Sequence, residues 1–173
     1  KIESKIAGLM LSAVISDTLL LKSPTTTEKD KKALEALAKI ADVDVNIYGL
    51  EMLKAGTNLD KYTEDELIRL DAKKIEKEDI KYVIAQVNTV SIPDILKRKE
   101  KIEQEINKEI LAKGLSLFVF VITDIINSNS EAIVLGDRTD VIAKSYEIKD
   151  NIAVMPGVVS RKKQVLPLVE KNM

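Results

Sequence analysis

The 173-residue chain contains neither cysteine nor histidine. Without cysteine there are no disulfides, thiolate nucleophiles or zinc-thiolate sites, which is compatible with a reducing cytoplasm. The missing histidine excludes more: Ser-His catalysis, imidazole acid/base chemistry and imidazole metal ligation all lie outside these residues. Aromatic side chains make up 3%, too few for stacking bases, which argues against nucleic acid as a partner. Excess charge of one sign is also lacking. Lys and Arg total 27 against 28 Asp and Glu, a net charge of −1, so no broad electrostatic grip on nucleic acid is expected and any basic site must be local. There is no internal repeat and no low-complexity tract. The most apolar stretch, Ile6 to Leu21, is about as short as a membrane span can be and contains Asp17, so it does not read as transmembrane. No charged n-region and cleavage site precede it, so it does not read as a signal peptide. The expectation is a cytoplasmic protein without a membrane partner.

What remains, 45% hydrophobic and 32% charged residues, is the composition of a soluble globular protein. Residue 1 is Lys and the first residues already read as helix, so the chain is expected to start inside a longer protein. Ile2, Ile6, Leu9, Met10, Ala13 and Val14 recur at helical spacing, in a helix running toward Leu21. After a break at Lys22 to Thr27, whose threonines offer an N-cap, Leu34, Leu37, Ala38 and Ala41 mark a second helix. A third covers roughly 46–54, with Gly56 as its stop. Gly56 to Tyr62 is polar and irregular and reads as a linker.

Beyond the linker the pattern changes from helical to mixed, the mark of an α/β unit. Thr63 with Glu66 forms a capping box for a short helix ending near Leu70. Ala72 to Ile75 and Tyr82 to Val87 read as strands joined by a charged turn, Glu76 to Lys81. Ser91 to Asp94 opens one long helix with Ile95, Ile102, Ile106 and Ile110 on one face, stopped by Gly114. Its other face, with Lys97, Arg98, Lys101, Glu103, Glu105 and Lys108, reads as solvated. Leu115 to Ile122 is nearly continuous in apolar, β-branched and aromatic residues and is expected to be a central strand buried on both faces. Asp124 follows it, suited to hold the next turn. Ala132 to Leu135 and Ile152 to Met155 are strands, with a short helix over Thr139 to Tyr146 between them.

Two places carry chemistry. In Gly157-Val158-Val159-Ser160-Arg161-Lys162-Lys163-Gln164-Val165-Leu166-Pro167, three consecutive cations lie between a glycine-led turn and an apolar run. Arg161 offers a planar fork to an oxyanion, Lys162 and Lys163 mobile point charges, and Ser160 and Gln164 neutral donors. By spacing alone the cluster suits either a phosphate site or a solvated basic surface. The second place is Asp17, flanked by Ser16 and Thr18 inside apolar sequence. A carboxylate buried there must be hydrogen-bonded, paired or metal-bound.

The string Ala7-Gly8-Leu9-Met10-Leu11-Ser12-Ala13-Val14-Ile15-Ser16-Asp17-Thr18-Leu19-Leu20-Leu21-Lys22-Ser23-Pro24-Thr25, taken with Ser160-Arg161-Lys162-Lys163-Gln164-Val165, resembles the family II, manganese-dependent inorganic pyrophosphatases of the Asp-His-His phosphoesterase superfamily. Tyr48 to Gly56, Leu70-Asp71-Ala72-Lys73, Ala85-Gln86-Val87-Asn88-Thr89-Val90 and Val121-Ile122-Thr123-Asp124-Ile125 follow in that family's order. Thr26 stands where many members have Cys, and Ser91 where an acidic residue is common; neither matches a catalytic position.

The resemblance implies a helical tail end of a first, metal-binding domain over 1–56, a linker at 57–62, and a mixed-sheet α/β C-terminal, substrate-binding domain over 63–173 with helices packed on its sheet. The N-terminal metal-binding motifs would lie in a missing N-terminal part of the same protein. Asp17 matches a carboxylate ligand of a dinuclear manganese centre, for which cobalt or magnesium could substitute; hard oxygen ligands suit such ions. Lys73, Arg161 and Lys162 match the cations that grip the substrate phosphate, with Ser160, Lys163 and Gln164 as further members of the motif. The implied partners are pyrophosphate and phosphate, the missing part, and a second copy of the chain. The fragment alone is expected to be inactive, since Asp17 cannot hold two metal ions by itself. Two other functions compete: a non-catalytic phosphate- or nucleotide-binding regulatory module, and a superfamily phosphoesterase acting on short polyphosphate or oligonucleotides. The apolar stripe of the first helix is expected to be exposed or covered by another copy.

Overall fold

The computed structural model describes residues 2–77 and 80–173. Two compact units divide the chain, Lys1–Asn58 and Leu59–Met173. In the first, helical spacing produces α1 (Ser4–Thr18), α2 (Glu28–Ala41) and α3 (Val45–Gly56). The threonine break caps as the sequence suggests: Thr27 Oγ1 accepts from Asp30 N while the Asp30 carboxylate accepts from Thr27 N at 2.8 Å. Asp44, overlooked in the sequence, caps α3 by accepting from the amides of Asn46 and Ile47.

The first helix differs from expectation at its C-terminal end. It ends at Thr18, short of Leu21, and it buries Ala7, Leu11, Ile15 and Thr18, while the stripe seen in the sequence stays largely uncovered, as expected. Ile6, Leu9 and Met10 are exposed, Leu9 by 69%. The helix is apolar on two faces, and only one is covered within its own unit.

The second unit begins with α4 (Glu64–Leu67), capped by the Thr63/Glu66 box. Its sheet comprises β1 (Ala72–Lys77), β2 (Ile80–Thr89), β3 (Leu117–Asp124), β4 (Asn129–Leu135), β5 (Ile148–Lys149) and β6 (Ile152–Met155), in the order β1-β2-β3-β4-β6-β5. The pair β2–β3 is parallel and the other neighbours are antiparallel. The turn expected over 76–81 is narrower, since the strands reach Lys77 and restart at Ile80; Glu78 and Asp79, its centre, lie outside the described residues.

Parallel neighbours need a crossover, here made of α5 (Ile92–Leu96) and α6 (Lys99–Lys113). The single long helix read from the sequence is therefore two. The break falls at Arg98, with φ −100° and ψ 7°. Its guanidinium reaches Glu64 Oε1 at 3.0 Å and the carbonyl of Tyr62 at 2.6 Å, so it is a half-buried clamp and not the solvated charge expected. Glu103 is also only 17% exposed, paired with Lys99. The remaining elements are α7 (Asp140–Ala143), a π-helical turn (Arg161–Val165) and α8 (Leu166–Asn172).

β3 is the central strand foreseen, buried from Leu117 to Thr123. Strand alternation sends Phe118, Phe120 and Ile122 to one face with Ile95, Ile102 and Ile106 of the crossover. Leu117, Val119 and Val121 face the other way, with Val141, Val165 and Val169. Asp124 holds the following turn, accepting from the amides of Ile126 at 2.8 Å and Asn127 at 3.0 Å. Among the described residues, no helix is long and apolar enough to cross a membrane.

Candidate functional site

The basic stretch is built by a turn that side chains pin from both ends. Gly157 takes φ +72°, a backbone conformation that disfavours residues with a Cβ. Gln164 then reaches back: its Oε1 accepts from Val159 N at 2.9 Å and Ser160 N at 3.0 Å, and its Nε2 donates to the Gly157 carbonyl at 2.9 Å. Ser160 Oγ accepts from Lys163 N at 3.2 Å. The backbone closes a wide turn through Val165 N to Ser160 O at 3.4 Å. Gln164, read as a candidate anion donor, thus spends most of its polar capacity on shaping the loop, whereas Ser160 Oγ uses only an acceptor position there.

Buried polar groups fix this loop to the sheet. Ser130 Oγ donates to the Val158 carbonyl at 2.7 Å and lies 2.8 Å from Thr123 Oγ1. Gln86 Nε2 donates to Thr123 Oγ1 at 2.8 Å and to the Val159 carbonyl at 3.1 Å, while Gln86 Oε1 accepts from Arg161 N at 2.8 Å. Strands β2, β3 and β4 therefore each contribute a side chain. In a low-dielectric interior such a satisfied network specifies one arrangement.

Three of the sequence-nominated cations converge. Lys73 on β1 pairs in register with Ile84 on β2, and the Arg161 guanidinium reaches the Ile84 carbonyl at 3.4 Å. Lys73, Arg161 and Lys162 line one cavity of about 270 Å³ with Ile75, Ile84 and Leu166. Lys163 is exposed and is not part of that lining. Among the described residues Lys73, Lys162 and Lys163 have no ion pair or side-chain hydrogen bond. Arg161 does: its Nη2 donates to Asp71 Oδ1 at 2.9 Å and its side chain is 17% exposed. Free lysines and a restrained arginine within one cavity can receive an oxyanion by charge and by hydrogen bonding.

Asp17 belongs to the other unit, in the last turn of α1. The expectation of a buried carboxylate needing a partner is corrected: Asp17 is exposed, and among the described residues nothing pairs with it. Water solvates it, although a helix C-terminus is electrostatically unfavourable for an anion. The chain beyond it is strained. Leu19, Leu20 and Leu21 take φ of 49°, 54° and 64°, a region costing roughly 1–2 kcal/mol for each such residue. Buried Thr18 offsets part of this, donating from Oγ1 to the Val14 carbonyl at 2.6 Å and accepting from Leu21 N at 3.1 Å. Leu20 seats where α3 has no side chain: a Cβ on Gly49 would clash with Leu20 Cδ1. Among the described residues no group of three His, Cys, Asp or Glu could hold a metal ion.

Asp71 and Gln86 went unassigned in the sequence, although both lie in the quoted strings. Their partner Arg161 is 90 and 75 residues away, and no local spacing announces such contacts.

Comparison with known proteins matches this arrangement to one family. Residues 50–172 match the DHHA2 domain. The manganese-dependent inorganic pyrophosphatase of Bacillus subtilis is 50% identical over 175 residues, covering 100% of this chain and 57% of that protein. A Brevibacillus brevis protein provisionally given that function is 52% identical over 170 residues, covering 97% of this chain and 55% of its own length. A Methanococcus jannaschii crystal structure assigned to the family II inorganic pyrophosphatases superposes with a TM-score of 0.86 at 37% identity, over 99% of this chain and 57% of that one. The chain thus spans a little over half the length of the relatives it matches. With the DHHA2 match covering the whole sheet and the cation cavity it carries, the chain belongs to the DHHA2 domain family.

Proposed function

We propose that this chain is the substrate-gripping portion of a cytoplasmic, manganese-dependent inorganic pyrophosphatase. Residues 63–173 form its substrate-binding domain, 57–62 a linker, and 1–56 the end of its metal-binding domain. The observation that carries this is the convergence of Lys73, Arg161 and Lys162 on one cavity, together with the resemblance to proteins named for that activity.

Pyrophosphate is small and densely anionic. A rigid cavity holding one fixed guanidinium and two mobile ammonium groups neutralises its oxygens and orients the phosphoryl group for in-line displacement. Lys73 and Lys162 follow the charge as point donors, while Arg161 supplies planar geometry. Ser160 and Gln164 shape the loop that presents them. Asp17, a free oxygen donor, fits the chemistry of a single manganese ligand. The metal ions, when bound, supply Lewis-acid polarisation of phosphoryl oxygens. The other ligands come from the remainder of the parent protein, which with a second copy of the chain also covers the exposed face of α1.

The test is kinetic. In the full-length parent, Arg161→Ala and Lys162→Ala each lower pyrophosphate hydrolysis by more than about tenfold with folding retained, since a preorganised charge at such a site contributes on the order of 2–4 kcal/mol. Near-normal kinetics in both variants would overturn the assignment. The isolated 173-residue chain gives no turnover with added manganese.

A further inference from the structure

Arg161 is held by a closed ring of three hydrogen bonds joining three distant segments. Gln86 N donates to the Asp71 carbonyl at 3.0 Å, Arg161 N donates to Gln86 Oε1 at 2.8 Å, and Arg161 Nη2 donates to Asp71 Oδ1 at 2.9 Å. Asp71 immediately precedes β1 and Gln86 lies within β2, so a rigid strand pair anchors the ring. From this geometry we infer that Asp71 and Gln86 are positioning residues for the anion-binding guanidinium, Gln86 fixing its backbone and Asp71 its fork. The inference rests on the reading of Arg161 as a phosphate ligand.

Donor arithmetic shows why Asp71 orients rather than blocks. A guanidinium carries five N–H groups. One is taken by Asp71 and one points to the Ile84 carbonyl. Nε is buried and, among the described residues, has no partner, and a second hydrogen remains on each Nη, so donors are left for an oxyanion. The Asp71 side chain is 59% exposed, and therefore its removal costs no core packing. What it supplies is restraint. An unrestrained arginine must lose rotamer freedom on binding, and prior restraint removes that loss. It also explains the asymmetry of the cavity, where, among the described residues, the carboxylate contact falls on the residue with planar geometry and the lysines have no ion pair.

Binding of inorganic pyrophosphate to the 173-residue chain, followed by titration calorimetry with circular dichroism on every variant, tests this. Asp71→Ala weakens binding by about fivefold or more, whereas Asp71→Asn, which keeps an acceptor for Nη2, stays within about twofold of the wild type. Gln86→Leu, a second variant acting on the backbone end, also weakens binding by about fivefold with its circular dichroism unchanged. Tighter or unchanged binding by Asp71→Ala would overturn the proposal, because it would make Asp71 a competitor or a bystander. Equal losses in Asp71→Ala and Asp71→Asn would also overturn it. Arg161→Ala separates the two levels. If it loses affinity while Asp71→Ala and Gln86→Leu do not, the positioning inference fails alone. If neither Arg161→Ala nor Lys162→Ala loses affinity, or the wild-type chain binds no pyrophosphate, the phosphate-site reading fails with it.

Discussion

The cation loop and the Asp17 turn are both short segments at the end of a secondary-structure element, yet they are held in opposite ways. The loop of 157–164 is tied to β2 and β4 by hydrogen bonds from Gln86 and Ser130, which Thr123 of β3 links to each other, inside a unit whose sheet is packed on both faces. The Asp17 turn is held from within one small helical unit, by the Thr18 hydroxyl and by Leu20 seated over Gly49. It carries three left-handed leucines and a carboxylate that is exposed and, among the described residues, unpaired. One site is preorganised by its own domain. The other is a locally strained turn after a helix end, and strain of that kind persists where surrounding contacts over-determine it.

The strongest way to break the comparison is to remove the sheet core beneath the loop. Phe120 is fully buried in β3, and Phe120→Ala should destabilise the second unit by about 3–5 kcal/mol. Hydrogen exchange resolved by residue should show protection lost across β2, β3 and the 157–164 loop. If only β3 amides respond, the loop is not supported by the sheet as described.

A smaller effect probes the helical turn. Gly49→Ala places a Cβ against Leu20 and should destabilise by about 1 kcal/mol, the overpacking outweighing the helical advantage of alanine. In a Leu20→Ala background the same change should become stabilising by about 0.5–1 kcal/mol, because only the helical term remains. A double-mutant cycle in urea checks the change of sign; its absence would detach Leu20 from Gly49.

The smallest expected effect sharpens what anchors the second unit. The hydrogen bond from Arg98, more than any other contact, holds the Glu64 carboxyl below its ordinary value. A carboxyl depressed on folding stabilises fully above its unfolded-state pKa, and this is lost as pH falls through the folded value. Glu64→Gln should therefore lower stability near neutral pH and reduce the acid-side loss below about pH 4.5. Parallel stability curves for both proteins across that range would remove Glu64 from the account.

Legibility differed by element. The capping boxes at Thr27 and Thr63 and the continuous apolar run of β3 were readable because their signals are local. The division of the crossover helix at Arg98 was not, because the break goes with contacts to Glu64 and Tyr62, more than thirty residues away. Among the candidate site residues, Lys73, Arg161 and Lys162 were nominated through motif strings, and the structure adds that they share a cavity. Asp17 was nominated through its motif string as well, while the separate expectation that it is buried fails because it lies on an exposed face of the last turn of α1.

By itself the sequence determined which residues carry charge and which chemistries are excluded, since the lack of histidine and cysteine holds in any conformation. It also determined most helices and strands, because periodicity and capping act within a few residues. Only the tertiary structure decided that Arg161 is restrained while Lys162, among the described residues, has no ion pair, and that Gln86 and Asp71 stand behind Arg161. Those choices are made by strand register and by loop closure over 75 and 90 residues, and hydrogen bonds of that reach exist only once the sheet has brought their ends together.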